Sequence, residues 1–400
     1  MTGEFEAKVR DWVADNLPQA LVGAHIDMYG VASDDQQVKD AFGLWRARLA
    51  AQGWGAPTWP REYGGAGLTD AEAKIVNRAI ARAGSMNPIP YLSGMGVTMV
   101  GPTLLEYGTP EQKARHLPGM ASGEVRWCLG LSEPNAGSDL ASLTTSAELD
   151  EQGWVLNGQK AWTSGADKSQ WCGVLVRTDR NAAKRDGISF LMLEMDQPGI
   201  ETRPIRLIAG ESPFCETFFT NARARKDDLL GKLNDGWSVV KRLLQHERQS
   251  QTNTPVTSTS AEPLQDIARR YRGTGADGML ADADLRSRLA DHLMDAAAHE
   301  LTIARIITDA RGGNVEVSAT ASILKNSATD VAQTRAELMV EIMGNQGLGW
   351  EPGEYTEEEA RAVREWLGGK SMSIYGGSYE VQKNIISKNI LGLPETTQKG

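Results

Sequence analysis

The chain has 400 residues, 40% hydrophobic and 24% charged, the balance of a soluble globular protein long enough for two or three packed units. Its formal net charge of −10 argues against nucleic acid or an anionic membrane surface as a partner, while leaving room for a local basic patch that holds an anionic ligand. Three well-separated cysteines, Cys128, Cys172 and Cys215, offer neither a metal-ligand pair nor a disulfide framework and are expected as buried free thiols in a reducing cytoplasm.

The opening residues Met1-Thr2-Gly3-Glu4-Phe5-Glu6 lack the basic-then-apolar pattern of a secretory signal, and no apolar run reaches the ~18 residues of a membrane span. Residues 1–123 are expected to form a helical domain, with Leu44, Leu49, Ile75, Val76 and Ile80 at helical spacing between charges. A loop rich in Gly, Pro and aromatics, Trp54 to Leu68, interrupts it, and Thr109-Pro110 marks a helix start with Thr109 as the cap. From 124 to 235 the pattern becomes short apolar strands bounded by turn residues, among them Trp154-Val155-Leu156, Gly173–Val176 and Ile188–Leu193. Asn157-Gly158 is expected as a hairpin turn, and the whole as a small barrel or sandwich. From 236 to 400 the helical period returns. Trp237, Val240, Leu243 and Leu244 are expected on one apolar face, and Leu285, Leu289, Leu293 and Ala297 on another. A third stretch runs from Ile323 to Met343, polar loops fall at Gln249–Ser260 and Gly344–Trp350, and a last helix starts near Tyr379.

Two segments carry the chemistry. Trp127-Cys128-Leu129-Gly130-Leu131 runs into Ser132-Glu133-Pro134-Asn135-Ala136-Gly137-Ser138-Asp139, and about twenty residues later comes Asn157-Gly158-Gln159-Lys160-Ala161-Trp162-Thr163-Ser164. Backbone amides, hydroxyls and an indole together suit a flat ring with polar edges. The pair of motifs resembles the flavin-binding middle domain of the acyl-CoA dehydrogenase family, and the resemblance continues over nearly the whole chain. It implies an α+β multidomain fold: an N-terminal helical domain, a middle β-barrel or sandwich domain, and a C-terminal four-helix bundle.

The resemblance implies FAD as cofactor and α,β-dehydrogenation of an acyl-CoA thioester to the trans-2-enoyl product. A carboxylate would remove the Cα proton, flavin N5 would take hydride from Cβ, and electrons would pass to an electron-transfer flavoprotein. Many members place the base in a C-terminal Tyr-Glu-Gly-Thr segment. Here that stretch reads Tyr375-Gly376-Gly377-Ser378-Tyr379-Glu380, with glycine where the carboxylate is expected. Other members carry the base on an earlier helix, in a Glu-Arg pair after a Gly-Trp start, and this chain has Gly236-Trp237 and Glu247-Arg248. Glu247 is therefore the expected base. The Gly376 N–H would donate to the thioester oxygen beside a flavin ribityl hydroxyl, and Ser138, Arg248 and Tyr375 would contact substrate. Leu129, Leu131, Ser132, Trp162 and Ser164 would line the flavin ring. Ser138 would lie between flavin and the CoA arm, and Ser378 and Glu380 near the diphosphate and ribose. Glu341, Gly344 and Asn345 would be offered to a neighbouring subunit's dinucleotide tail.

One departure is the missing Arg-x-x-Phe-Gly segment. In its place stands Arg269-Arg270-Tyr271-Arg272, whose arginines either substitute for it or form a solvated helix end. Segments 212–219 and 231–237 resemble the bacterial subgroup that acts on bulky or steroid side-chain thioesters, in which unlike subunits share the cofactor. A homodimer or homotetramer is expected, and a mixed tetramer stays open. Two other readings also stay open: a non-catalytic subunit that completes another chain's FAD site, and a same-fold flavoenzyme with a different reaction, a desulfinase or oxidase.

Overall fold

The computed structural model describes residues 2–24, 26–27, 30–31, 33–252, 262–311, 317–351 and 353–394. Helices come first: α1 (Thr2–Asn16), α2 (Gln36–Ala51), α3 (Asp70–Arg82), α4 (Ile89–Leu92), α5 (Gly101–Tyr107) and α6 (Pro110–Ser122). A two-stranded hairpin between α1 and α2, β1 (Ile26–Asp27) with β2 (Gly30–Val31), breaks the expected all-helical pattern. Local chemistry sets several helix starts. Thr69 caps α3 and Thr109 caps α6, each in a capping box completed by Glu72 or Gln112, and Pro110 occupies the first turn of α6. Trp45, Leu49, Val76 and Ile80 pack in the first helical core, whereas Leu44 faces outward.

The β region follows as β3 (Trp127–Gly130), β4 (Ser146–Leu149), β5 (Trp154–Ser164), β6 (Trp171–Arg177), β7 (Ile188–Glu194), β8 (Ile200–Ile205), β9 (Phe214–Ala224) and β10 (Leu229–Leu230). They form one eight-stranded sheet ordered β10-β7-β6-β4-β5-β9-β8, with β3 parallel to β6. Residues Ile188 to Leu193 of β7 are all buried, because the strand is covered on both faces. Alternate side chains serve two cores. Ile188, Phe190 and Met192 pack with Leu104, Leu117 and Met120 of the helices. Leu191 and Leu193 pack with Leu156, Val174, Val176 and Phe219 inside the β unit. The three cysteines are buried and free, as expected.

Asn157-Gly158 is not a hairpin turn. Both residues lie inside the 11-residue strand β5, and the turn into that strand is made by Asp150 and Gly153. Asn157 instead secures an irregularity in β9. The register with β9 slips between Leu156 and Asn157, opposite Asn221 at φ 54, and the Asn157 side chain accepts from the Asn221 N–H at 2.9 Å. Gly158 sits at φ 150, and an added Cβ would fall 2.5 Å from Thr145 Oγ1 and 2.7 Å from Thr145 Cα. The dipeptide marks close backbone approach and a bulge.

The C-terminal helices are α7 (Gly236–Thr252), α8 (Leu264–Arg272), α9 (Ala283–Arg311), α10 (Val317–Met343), α11 (Glu357–Gly369) and α12 (Tyr379–Asn389). The helix α7 extends four residues, Gln249 to Thr252, into the stretch expected as a polar loop, and residues 253–260 lie outside the described residues. On α9 the buried positions among the described residues are Leu285, Leu289, His292, His299 and Ile306, while Leu293 and Ala297 are exposed. The stripe follows a seven-residue repeat that substitutes histidines for the expected aliphatics. Contacts divide the chain into two compact units, Met1–Ile205 with Pro213–Glu247, and Arg206–Ser212 with Arg248–Gly400. No helix among the described residues is long and apolar enough to cross a membrane.

Gly158→Ala is expected to lower unfolding free energy by about 2–4 kcal/mol, through backbone strain and collision with Thr145. Gly43→Ala, in α2 with open space around it, is expected to stabilise by up to about 1 kcal/mol. Urea denaturation of both variants checks the pair.

Candidate active site

The first group of expected site residues meets at the end of β3 and the distal half of β5. Register with β9 shifts again between Lys160 and Thr163, so two residues of β5, Ala161 and Trp162, oppose one of β9. This bulge throws the Trp162 indole outward, 57% exposed, from a backbone at φ 63. A bulky side chain in that region costs about 1–3 kcal/mol, the kind of strain that concentrates at functional sites. Phe214 meets the indole edge-on at 6.1 Å, and Ser164, half-buried, ends the strand opposite Phe214. The Ala161 N–H donates to the Ser132 carbonyl at 2.9 Å, joining the loop after β3 to the bulge. Leu129, Leu131 and Ser132 are half-buried there, while Ser138 is exposed further along the loop.

Beneath this surface lie two residues that sequence reasoning quoted within motifs but never singled out. Lys160 is fully buried, and its Nζ donates to Glu133 Oε1 at 2.9 Å and to the Leu131 carbonyl at 3.0 Å. The Glu133 carboxylate also accepts from the Thr144 N–H at 2.7 Å, the Thr144 hydroxyl at 2.8 Å and the Thr145 N–H at 2.8 Å. Burial pushes the Glu133 carboxyl up, but the Lys160 cation and the Thr145 and Thr144 donors outweigh it and hold it at about 2. Burial pushes Lys160 down to about 8, against the pull of Glu133. The carboxylate has four donors and stays ionised; the ammonium has two acceptors and bears the burial cost. The available signal was a lysine, the one charged residue of its strand, at alternate spacing from Trp154, Leu156, Gly158 and Trp162.

Glu247 lies on α7 in register with Val240 and Leu243, whose side chains pack on the core shared with Phe190. It is half-buried at the end of that apolar stripe. The start of α7 is pressed on β7, where a Cβ on Gly236 would fall 2.5 Å from Ser189. A second hold comes from α5. Arg242 donates from Nε and Nη2 to both Glu106 oxygens at 2.7 Å, and His246 Nε2 lies 3.3 Å from the same carboxylate. The Arg242 hydrogen bonds outweigh burial and keep the Glu106 carboxyl below its ordinary value. The Arg248 backbone continues the helix, and its side chain lies outside the described residues.

In the C-terminal unit the expected residues fall into two places. Gly376 and Gly377 have φ of 65 and 92, and the Gly376 carbonyl accepts from the buried Gln382 side chain at 2.6 Å. Ser378 caps α12 by accepting from the Val381 N–H, Tyr375 is exposed, and Glu380 is exposed on the first turn. The Tyr379 hydroxyl donates to Asp330, which places this group beside the middle of α10. Glu341, Gly344 and Asn345 stand at the far end of α10, about 20 Å along its axis from Asp330. Their loop is internally tied: Arg288 pairs with both Glu341 oxygens and Arg272 donates to the Glu341 carbonyl. Of the other basic residues there, Arg269 pairs with Asp266 and Arg270 with Glu262.

The donor set of the first group fits a flat heteroaromatic ring. An indole is held outward at a conformational cost, a hydroxyl stands two residues on, and the Ser132 N–H meets no acceptor among the described residues. Comparison with known proteins gives the same direction. Residues 3–124, 128–222 and 234–391 match the N-terminal, middle and C-terminal domains of acyl-CoA dehydrogenase. The chain is 37% identical over 393 residues to the acyl-CoA dehydrogenase IpdE1 of Mycobacterium tuberculosis, covering 98% of this chain and 97% of that one. Among solved structures it resembles the Tcur3481-Tcur3483 steroid ACAD, with a TM-score of 0.78, 27% identity and 98% of each chain covered. It also resembles the ChsE4-ChsE5 complex from Mycobacterium tuberculosis, with a TM-score of 0.72, 28% identity and 98% of each chain covered.

The low Glu133 value fixes a pH dependence. Its folded-state value is depressed to about 2 from 4.5, so the stability it contributes is full above 4.5 and lost as pH falls toward 2. The thermal midpoint of the wild type is expected to fall more steeply between pH 4.5 and 3 than that of Glu133→Gln, as read by circular dichroism.

Proposed function

The chain belongs to the acyl-CoA dehydrogenase family of oxidoreductases, and from that premise we propose that it catalyses FAD-dependent α,β-dehydrogenation of an acyl-CoA thioester with Glu247 as the base. When bound, the flavin supplies the acceptor for the hydride that leaves Cβ. Glu247 takes the proton from Cα. The observation that carries this choice is the pairing of two local facts. Glu247 ends the apolar stripe of a helix anchored at Gly236 and by Arg242 on Glu106, while Gly376 adopts φ 65, where a carboxylate-bearing residue is strained. Proton transfer near neutral pH favours a base whose carboxyl is partly withdrawn from water, and Glu247 is half-buried.

The remaining roles follow from the same reading. Leu129, Leu131, Ser132, Trp162 and Ser164 hold the ring. Ser378 and Glu380 serve the diphosphate and ribose region, and Glu341, Gly344 and Asn345 a neighbour's dinucleotide tail. The Gly376 N–H donates to the thioester oxygen and stabilises enolate-like charge. Ser138, Arg248 and Tyr375 contact the substrate. Likeness to a protein titled a steroid ACAD supports a bulky acyl group, and likeness to two-component proteins supports a mixed assembly. The internal ties of Glu341 to Arg288 and Arg272 favour the same assembly, since they occupy the arginines nearest the tail loop. An electron-transfer flavoprotein is the proposed electron acceptor.

Purified enzyme, co-expressed with its partner chain where one is needed, is expected to be yellow and to lose its visible absorbance anaerobically with an acyl-CoA. Glu247→Gln is expected to keep the colour and bleach roughly 10²–10⁴-fold more slowly in stopped flow. Bleaching at the wild-type rate would remove Glu247 from the mechanism.

A further inference from the structure

The Glu133–Lys160 pair is the most deeply buried of the described ion pairs, with the lysine side chain at 0% and the glutamate side chain at 6% exposure. Removing two such charges from water is costly, and replacing a buried pair with apolar side chains is often neutral or stabilising. Core stability alone is therefore a poor account of this pair. Its geometry supplies a better one.

In a trans peptide the C=O and the following N–H point in opposite directions. Lys160 draws the Leu131 carbonyl inward at 3.0 Å, so the N–H of the same peptide unit, that of Ser132, is aimed away from the interior. That N–H has no acceptor among the described residues. The adjacent residue of β5, Ala161, holds the next carbonyl, that of Ser132, at 2.9 Å. Consecutive residues of one strand thus fix consecutive peptides of the loop, at the entry to the bulge that presents Trp162. Glu133 keeps the ammonium in place, and Thr144 and Thr145 keep Glu133 in place. The chamber has little slack: a Cβ on Gly130 would fall 3.2 Å from Lys160 Cγ.

We propose that Lys160 and Glu133 are positioning residues for the flavin, which together hold the Leu131–Ser132 peptide so that the Ser132 N–H is turned toward the ring edge. The proposal rests on the flavin reading above and adds a cause for the ring site's geometry. A donor held at the ring edge stabilises negative charge on the reduced ring, so it raises the potential and tightens binding, while the charge of the ammonium is itself balanced by Glu133.

The test compares Lys160→Met, Lys160→Arg and Glu133→Gln with wild type. Leu193→Ala, a cavity in the same β core that removes no hydrogen bond of the pair, serves as a control of similar thermal loss. The readouts are the FAD dissociation constant by fluorescence quenching, the position of the visible flavin bands and the midpoint potential against a dye couple. Lys160→Met is expected to weaken FAD at least tenfold and to lower the potential of the flavin that remains bound, with partial recovery in Lys160→Arg. Leu193→Ala is expected to lose stability without moving band position or potential. If Lys160→Met does not accumulate, Glu133→Gln is read for weaker FAD binding, since an amide keeps the shape but loosens the ammonium that holds the Leu131 carbonyl. Variants with lower thermal midpoints but unchanged FAD affinity, bands and potential overturn the proposal and leave the pair a packing element. Wild type that binds no FAD, alone or with a partner chain, overturns the flavin reading itself and this proposal with it.

Discussion

A lysine ammonium taken wholly out of water needs a countercharge and fixed acceptors, or it loses its proton. Lys160 has both, and satisfying them constrains much of the β unit. The carboxylate that answers it sits on the loop after β3, and that carboxylate is in turn held by the backbone entering β4. Three segments distant in sequence are tied through one buried charge: residues 131–133, 144–145 and 160–161. The bulge in β5 and the strained Trp162 rest on this anchored loop. The outward indole costs conformational energy locally, and the network around Lys160 is well placed to hold it.

A second constraint governs α7. Its first turn is pressed on β7, its apolar stripe enters the core shared by helices and strands, and its outer side is clamped by Arg242 on Glu106. A bidentate arginine–carboxylate pair fixes orientation as well as distance. Rotation of the helix about its axis, which would swing Glu247 off the stripe, is opposed on both sides. The placement of Glu247 on that stripe thus depends on an ion pair between residues 136 apart in sequence.

Much of the fold was legible because it rests on local rules. The change of hydrophobic period from helical to strand and back marked the three-part architecture, and Thr109 with Pro110 announced the start of α6. Failures came where a local rule met a tertiary contact. Asn157-Gly158 has the composition of a hairpin turn, but Thr145 occupies the space beside Gly158 and Asn221 engages Asn157 from the opposite strand. The α9 stripe was misread at Leu293 and Ala297 because His292 and His299, polar by type, take buried positions. Leu44 shows the converse, an aliphatic side chain left facing out.

For the candidate site, sequence determined which residue types stand where: a glycine in place of a C-terminal carboxylate, a glutamate after an apolar helical stripe, and an indole followed by two hydroxyl residues. The meaning of the glycine and the glutamate came from the resemblance to the family, and only the indole and the apolar stripe could be read from composition and spacing along one element. Sequence could not assign Lys160 to the interior or Glu133 to its side, since their pairing spans 27 residues and depends on strand register. Nor could it give the left-handed backbone of Trp162 or the grip of Glu106 on α7, 136 residues away from Arg242. Tertiary structure decided these, because burial makes a charge demand a partner and only the folded chain determines which groups are near enough to serve.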